Sequence, residues 1–230
     1  MKPMAESPRD APLTAVVVIG GGPLHARALA ALEAVNTDVR IIAADSGLDH
    51  AVSAGLRPDA LVGDLDSISA SGRMWAYAHE LLIDTHPEAK DETDTELALA
   101  AAVALTDAQH LLLLGGLDPL SDDRLDHLLG TLLSLGHPSL GRFSSVSAVV
   151  GSSEVRVVHG GRSLALPLDG GQTFSLLALH GVCTGVTLTG AHWPLAAATL
   201  TSTEARGLSN ISDGDTVVRV ADGVLTVVIP

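Results

Sequence analysis

The sequence predicts an α/β protein in which an N-terminal parallel sheet with helices, Rossmann-like in type, precedes a small all-β sandwich. Up to residue 145, apolar strand-like runs alternate with helix-like segments of roughly ten residues, which is typical of a parallel sheet covered by helices. After Arg142 short strands follow one another between Gly-rich and Asp-Gly turns, which is typical of an antiparallel sandwich. With 230 residues, 47% of them hydrophobic, the chain can bury the core of one large domain or two modest ones.

The elements of the first half are apolar strands followed by Ala- and Leu-rich helices. The strands predicted are Ala15–Ile19, Val39–Ala44, Ala60–Val62, Glu80–Asp84 and Leu111–Leu114, and the helices are His25–Val35, Ser46–Ala54, Ala70–Ala78, Glu92–Leu105 and Arg124–Leu135. In the second half we predict strands at Val146–Val150, Glu154–Val158, Ser163–Leu166, Thr173–Leu179, Val186–Leu188, Thr216–Val220 and Val224–Ile229, with turns at Gly160-Gly161, Gly170-Gly171, Asp213-Gly214 and Asp222-Gly223. The expected organisation is a disordered segment over 1–12, an α/β domain over 13–145 and a sandwich over 146–230.

Composition limits the partners and the compartment. The formal net charge of −14 repels a polyanion, so we expect no nucleic-acid partner. The single cysteine, Cys183, excludes a disulfide within the chain. No apolar run approaches the roughly 18 residues of a membrane span, and the polar, Pro-rich start lacks a signal-peptide segment. We therefore expect a cytoplasmic protein without a membrane partner.

Acidic residues follow the second and third predicted strands, where ligands bind in such folds. Asp45 comes directly after Val39–Ala44, and it is either a helix N-cap or a site residue. Asp64 and Asp66 lie two residues apart, so in an extended segment their carboxylates point the same way. This pair is either a solvated turn or a site for Mg²⁺, which takes oxygen ligands.

A third acidic group opens a predicted helix. Thr93 or Asp91 can cap this helix, with Glu96 completing a capping box. Asp91 and Asp94 share one face of the first turn. Lys90, one of two lysines in the chain, lies beside these acids, where a cation that contacts phosphate is needed.

The fourth group follows Gly115-Gly116. Arg124 can bind a phosphate through two hydrogen bonds, and Asp126 and His127 follow it, although Arg-x-Asp-His is also an ordinary ion-paired helix start. Together the four groups put carboxylates, one Lys and one Arg at one edge of a sheet, which suits Mg-nucleotide chemistry. The Gly20-Gly21-Gly22-Pro23 turn can present N–H groups to an anion, but it matches neither a P-loop nor a dinucleotide-binding fingerprint.

Taken in order, these segments resemble thiamine pyrophosphokinase over nearly the whole chain from residue 15. The segments that carry the resemblance are Asp45-Ser46-Gly47, Pro58-Asp59, Gly63-Asp64-Leu65-Asp66-Ser67, Lys90-Asp91-Glu92-Thr93-Asp94-Thr95-Glu96, Arg124-Leu125-Asp126-His127, Phe174-Ser175-Leu176-Leu177, Gly185-Val186-Thr187-Leu188-Thr189-Gly190, Trp193-Pro194-Leu195 and Gly207-Leu208-Ser209-Asn210. The resemblance implies transfer of the diphosphate of ATP to the hydroxyl of thiamine, with Mg²⁺. It also implies a homodimer with active sites shared between subunits.

The resemblance also implies roles for individual residues. The catalytic residues expected are Asp64, Asp66, Asp91 and Asp94, of which Asp64, Asp66 and Asp91 hold the metal. The nucleotide-binding residues expected are Asp45, Lys90, Thr93, Arg124, Asp126 and His127. The thiamine-binding residues expected are Trp193, Ser209 and Asn210. A Trp face attracts the permanent cation of the thiazolium ring, which is the physical case for Trp193.

Some positions depart from the family pattern. Leu65 replaces a frequent Phe, Ser46 a common Gly, and Thr131 the usual Asn, while residues 117–123 resemble an insertion. Two alternative functions stay open: a diphosphate transfer to another heterocyclic alcohol such as a hydroxymethylpterin, and a catalytically silent nucleotide or thiamine-phosphate sensor. The retained acids argue against the sensor, because such relatives are expected to lose metal ligands.

Overall fold

A parallel sheet forms the first half of the chain in the computed structural model, which describes residues 15–35, 38–115 and 125–230. The predicted disordered segment 1–12 lies outside these residues. The strands are β1 (Ala15–Ile19), β2 (Val39–Ala44), β3 (Ala60–Gly63), β4 (Leu82–Thr85), β5 (His110–Leu114) and β6 (Ser145–Val150). They pair in parallel in the order β6-β5-β1-β2-β3-β4.

Helices cover both faces of this sheet. They are α1 (Ala26–Ala34), α2 (Gly47–Ser53), α3 (Ala70–Ala78), α4 (Asp94–Leu105) and α5 (Leu125–Ser134), with a 3₁₀ helix at Pro138–Arg142. Successive side chains of β1 point to opposite faces. Val16 and Val18 pack with the α4 side chains, whereas Val17 and Ile19 pack with those of α1 and α2. The continuous burial of β1 therefore follows from helices on both sides.

The second half is antiparallel and continues the same sheet. Its strands are β7 (Ser153–His159), β8 (Arg162–Ala165), β9 (Thr173–Leu177), β10 (Cys183–Ala191), β11 (Leu195–Leu200), β12 (Asn210–Val220) and β13 (Val224–Ile229). One hydrophobic core joins side chains of β7, β9 and β13 to those of β10 and β12. β6 pairs in parallel with β5 and antiparallel with β7, so the sheet runs without a break across the predicted boundary at 145.

Two details of the second half differ from the sequence prediction. The turn predicted at Asp213-Gly214 is wrong, because both residues lie within β12. Positive φ angles at Gly214, Asp215 and the facing Gly190 bend the β10–β12 pair there and shift its register, so a turn-forming sequence makes a bulge. Strand β11 was not predicted, since its Ala-rich sequence has little β propensity and its pairing with β10 decides its conformation. In the described ranges no helix is both long enough and apolar enough to cross a bilayer.

Candidate active site

Three carboxylates converge at the carboxyl ends of β2 and β3. One carboxylate oxygen from each of Asp45, Asp64 and Asp66 lies within 4.8 Å of the others, and we call these residues the acidic cluster. Because β2 and β3 are adjacent and parallel, their carboxyl ends meet at one edge of the sheet. The prediction that these acids gather at one edge is therefore confirmed for Asp45, Asp64 and Asp66.

Backbone contacts fix Asp45 at the end of β2. Its N–H donates to the carbonyl of Val62 at 2.9 Å, which ties it to β3, and its φ of 45° is uncommon for a residue with a side chain. α2 then begins directly against β1, since a Cβ on Gly47 would lie 2.1 Å from the carbonyl oxygen of Ile19. This close approach of α2 to β1 leaves no room for a side chain at the third position of Asp45-Ser46-Gly47.

The turn after β3 directs Asp64 and Asp66 to the same side. Leu65 between them has a φ of 66°. The N–H of Asp66 donates to Oδ1 of Asp64 at 3.2 Å, and Oγ of Ser67 donates to Oδ1 of Asp66 at 2.7 Å. Gly63 before the turn has a φ of 144°, and a Cβ there would lie 2.9 Å from Oδ1 of Asp94. A side chain at 63 would therefore displace Asp94.

Lys90 joins the acidic cluster to the start of α4. Its Nζ lies 2.6 Å from Oδ2 of Asp64 and 3.0 Å from Oδ1 of Asp94. The hydrogen bond from Lys90 lowers the pKa of Asp64. Burial opposes protonation of Lys90, but hydrogen bonds with Asp64 and Asp94 outweigh it and raise the pKa of its ammonium. Lys90 is therefore a cation held at the cluster.

Asp45 is the acid whose charge is least satisfied. Its side chain is buried, and its Oδ1 has no hydrogen-bond partner among the described residues. Burial raises the pKa of Asp45, and the carboxylates of Asp94 and Asp66 raise it further, against hydrogen bonds with Ser67 and Ser46. A cation bound beside Oδ1 would relieve this desolvation and repulsion.

The acidic cluster fits Mg²⁺ in donor type and spacing. Mg²⁺ prefers oxygen ligands at about 2.1 Å, so two ligands on opposite sides lie roughly 4.2 Å apart. The cluster offers three carboxylate oxygens within 4.8 Å of one another, one of them buried and unpartnered. The donors therefore match Mg²⁺ in type, and the upper limit of 4.8 Å on their separation is close to what an octahedral site needs.

The remaining acids of the third group take other positions. Asp91 is exposed and is not among the acids whose oxygens converge in the described chain, whereas Asp45 is. Thr93 caps α4 as the capping box predicts: its Oγ1 accepts from the N–H of Glu96 and donates to Oε2 of Glu96. The hydroxyl of Thr93 therefore forms its hydrogen bonds with Glu96 in the first turn of α4. Asp94 contacts Lys90 and approaches Gly63.

The fourth group is described only in part. Arg124 and the predicted insertion over 117–123 lie outside the described residues. Asp126 and His127 are exposed in the first turn of α5, and Thr131 is buried further along this helix. Their part in nucleotide binding stays a prediction.

The predicted thiamine-binding residues meet at the start of β11 and β12. Trp193 is 55% exposed, and the ring of His192 packs edge-on against its indole, with 4.7 Å between the ring centroids. Asn210 is buried, and its amide bonds both backbone groups of Trp193: Oδ1 accepts from N–H at 3.2 Å and Nδ2 donates to the carbonyl at 2.8 Å. Asn210 therefore holds the Trp193 loop in place. Ser209 is exposed, with a φ of 55°.

Asp45 was predicted to bind the nucleotide and was not predicted to bind the metal. The sequence did contain a signal for a role of Asp45 at the metal site, because Asp45 directly follows β2, the strand that pairs with β3. Asp49 was not predicted to have a role. It accepts hydrogen bonds from N–H and Oγ of Ser69 at 2.8 and 2.5 Å and so joins α2 to the start of α3. No local pattern marks that contact, because 20 residues separate the partners.

Comparisons with known proteins agree with this geometry. Residues 32–146 match the thiamin pyrophosphokinase catalytic domain, and residues 163–225 match the vitamin B1 binding domain of the same family. A search of curated proteins finds no match.

Solved structures with the same fold include thiamine pyrophosphokinases of bacteria and yeasts. The protein from Bacillus subtilis has a TM-score of 0.75 at 20% identity, over 94% of this chain and 98% of that one. The protein from Geobacillus thermodenitrificans has a TM-score of 0.73 at 25% identity, over 94% and 97%. The protein from Candida albicans has a TM-score of 0.72 at 14% identity, over 98% and 95%.

Both domain matches lie in the expected order, and the catalytic match alone spans half the chain, including Asp45, Asp64, Asp66 and Lys90. The chain belongs to the thiamin pyrophosphokinase family, and it is an enzyme that diphosphorylates thiamine.

Proposed function

We propose that this enzyme transfers the terminal diphosphate of ATP to the hydroxyl of thiamine, giving thiamine diphosphate and AMP, with the acidic cluster as its Mg²⁺ site. The observation that carries the proposal is the convergence of Asp45, Asp64 and Asp66 beside Lys90 within the matched catalytic domain. Bound Mg²⁺ would supply charge neutralisation for the phosphates. Asp64 and Asp66 would hold it, with Asp45 as the buried third ligand; Asp91, expected from the resemblance, is the alternative third ligand.

Lys90 and the other cations have a separate task. An ammonium held by Asp64 and Asp94 at the edge of the cluster can bind phosphate oxygens without a large rearrangement. Asp94 keeps Lys90 in position from the first turn of α4. Arg124, Asp126 and His127 stay our proposed contacts to the rest of the nucleotide, and Thr93 contributes by fixing the start of α4.

The thiamine site is proposed to lie between subunits of a homodimer. Trp193 offers an exposed aromatic face to the thiazolium cation, with Asn210 holding its backbone and Ser209 beside it. In the hydrogen-bonded strand order, seven strands separate β10, next to the Trp193 loop, from β2 at the acidic cluster. A partner subunit can bring a second Trp193 loop to the cluster.

The proposal includes a catalytic α/β domain over 13–145, a thiamine-binding sandwich over 146–230 and a cytoplasmic location, where ATP is available.

An acceptor panel tests the proposal. Purified protein is incubated with ATP, Mg²⁺ and either thiamine or a hydroxymethylpterin, and AMP and the diphosphorylated product are separated by chromatography. We expect AMP and thiamine diphosphate in equal amounts with thiamine alone. Product from the pterin alone would reassign the acceptor, and calorimetric binding of ATP or thiamine without AMP would indicate a sensor.

A further inference from the structure

The turn that carries Asp64 and Asp66 is anchored by the helix that follows it. Leu65 has a φ of 66°, a conformation that a Leu side chain rarely adopts. Nη2 of Arg73, in the first turns of α3, donates to the carbonyl oxygen of Leu65 at 2.6 Å. The hydrogen bond therefore reaches the backbone of the one residue in the turn whose conformation is unfavourable.

The base of this anchor is itself fixed. Ser69 caps α3, since its Oγ accepts from the N–H of Gly72 at 2.9 Å. Asp49 of α2 accepts from both N–H and Oγ of Ser69. α3 is thus tied at its first turn to a neighbouring helix, and Arg73 extends back from it to the turn.

Other contacts are made at different residues of the turn, and Ser67 at its end also bonds the carboxylate of Asp45. Lys90 binds the carboxylate of Asp64, at the first residue of the turn. The hydrogen bonds of Asp66 go to Asp64 and Ser67, which belong to the same turn. Among these bonds, the one from Arg73 links the middle of the turn to an element outside it.

We propose that Arg73 is a positioning residue for the metal site: its guanidinium holds the Leu65 carbonyl and so keeps Asp64 and Asp66 directed toward the same cation. Arg73 acts through the turn and not on the substrate. The consequence for catalysis rests on the proposed function, whereas the effect on the turn and on cation binding does not.

The test compares Arg73→Met, which removes the donors but keeps much of the chain length, with Arg73→Lys, which keeps a cationic donor. Arg219→Met is the matched control, because Arg219 is also exposed but lies on β12. Hydrogen–deuterium exchange of the metal-free protein reports on residues 64–69, and electron paramagnetic resonance measures Mn²⁺ binding without nucleotide. Steady-state kinetics give KM for Mg²⁺ and kcat.

For Arg73→Met we expect faster exchange in residues 64–69 and Mn²⁺ binding weakened about 10-fold, as for other residues that orient metal ligands. KM for Mg²⁺ should rise while kcat at saturating Mg²⁺ changes little. Arg73→Lys should recover a part of each effect, and Arg219→Met should change none. Thermal melting shows whether Arg73→Met is folded. If it is not, Arg73→Gln replaces it in the comparison with Arg73→Lys.

Unchanged exchange and unchanged Mn²⁺ binding in Arg73→Met would overturn the proposal. A raised KM for ATP with an unaltered turn would also overturn it, since Arg73 would then bind the nucleotide. If the wild-type protein forms no thiamine diphosphate, the proposed function fails, but exchange and Mn²⁺ binding still decide the role of Arg73.

Discussion

At the scale of single residues, each acid of the cluster differs in its immediate surroundings. Asp64 is paired with Lys90, which lowers its pKa, whereas burial raises the pKa of Asp45. Asp66 is exposed and held by Ser67. One lysine beside these carboxylates and Asp94 leaves an excess of negative charge, which a divalent cation can neutralise.

Removing one carboxylate charge should abolish most of the turnover. In Asp64→Asn and in Asp66→Asn, the amide keeps the shape but loses the charge that binds Mg²⁺, so we expect kcat to fall on the order of 100-fold or more. The measurement is AMP formation across a Mg²⁺ titration, with the melting temperature as a check on folding. Asp107→Asn, an exposed acid on the loop before β5, is the control. Near-normal activity with normal Mg²⁺ dependence would contradict the role of the pair.

Trp193 should contribute stacking and cation–π attraction to thiamine. Trp193→Phe keeps an aromatic face and should preserve much of the binding, whereas Trp193→Ala should weaken it by about 1 to 3 kcal/mol. Isothermal calorimetry with thiamine and a separate KM for ATP check this. An equal loss of ATP affinity would mean that the alanine variant damages the fold.

At the scale of elements, the site depends on how β3 ends and how α4 begins. Gly63 closes β3 with a φ that side chains avoid, and the capping box of Thr93 and Glu96 starts α4 so that Asp94 lies against Gly63. The two elements meet without room for a Cβ. The positions of Asp94 and Lys90 beside the acidic cluster are therefore set by a contact between the end of a strand and the start of a helix.

Gly63→Ala should disturb the site more than an ordinary glycine replacement. The new Cβ would lie 2.9 Å from Oδ1 of Asp94 and force it, with Lys90, away from Asp64. Gly161→Ala is the control, since Gly161 also has a positive φ but an added Cβ there meets nothing within 4 Å. We expect about 1 kcal/mol of lost stability for the control with normal activity. Urea unfolding and AMP formation should show a larger loss of both in Gly63→Ala, and equal effects would argue against this contact.

At the scale of the whole molecule, one buried and one half-buried histidine lie where the two halves meet. His159 ends β7, its Nε2 has no hydrogen-bond partner among the described residues, and it packs against Gly141 of the 3₁₀ helix. His180 packs against Gly136 after α5, and its Nε2 is 3.0 Å from Oγ1 of Thr226. Burial lowers the pKa of both, with further lowering of His159 by Arg162 and of His180 by His159.

These histidines should make the protein less stable in mild acid. Their pKa values are lower in the folded than in the unfolded chain, so below about pH 6.5 the unfolded chain binds more protons and the free energy of unfolding falls. Urea unfolding at about pH 7.5 and about pH 5.5 measures the loss. His159→Gln should reduce this pH dependence, and His25→Gln, at an exposed histidine, should not. An unaltered dependence in His159→Gln would show that other groups cause it.

The active site that we propose to be shared between subunits predicts complementation between two impaired variants, assayed at low thiamine concentration. In a heterodimer of Asp64→Asn with Trp193→Ala, one site carries both defects and the other carries neither, so activity should partly return after subunit exchange. A two-fold symmetric dimer, the commonest kind of homo-oligomer, is the assembly that the proposal requires. Tandem affinity purification of subunits that carry two different tags confirms that mixed dimers form. Mixed dimers without recovered activity would mean that each site is built within one chain.

The sequence by itself determined the features that depend on neighbouring residues. The alternation of strands and helices, the capping box at Thr93 and the acids after β2 and β3 were all predicted, because hydrophobic period, turn chemistry and capping act over a few residues. The ordered motifs also identified the family.

Tertiary structure decided which of the acids at this edge come into close range of one another. Parallel pairing of β2 with β3 brings a carboxylate oxygen of Asp45 within 4.8 Å of those of Asp64 and Asp66, while Asp91 stays outside the converging group. Strand pairing made β11 from an Ala-rich segment and turned Asp213-Gly214 into a bulge. The hydrogen bonds of Arg73 to Leu65 and of Asn210 to Trp193 also depend on tertiary structure. A hydrogen bond to a backbone group elsewhere in the chain depends on how the chain packs and leaves no periodic signal in the sequence.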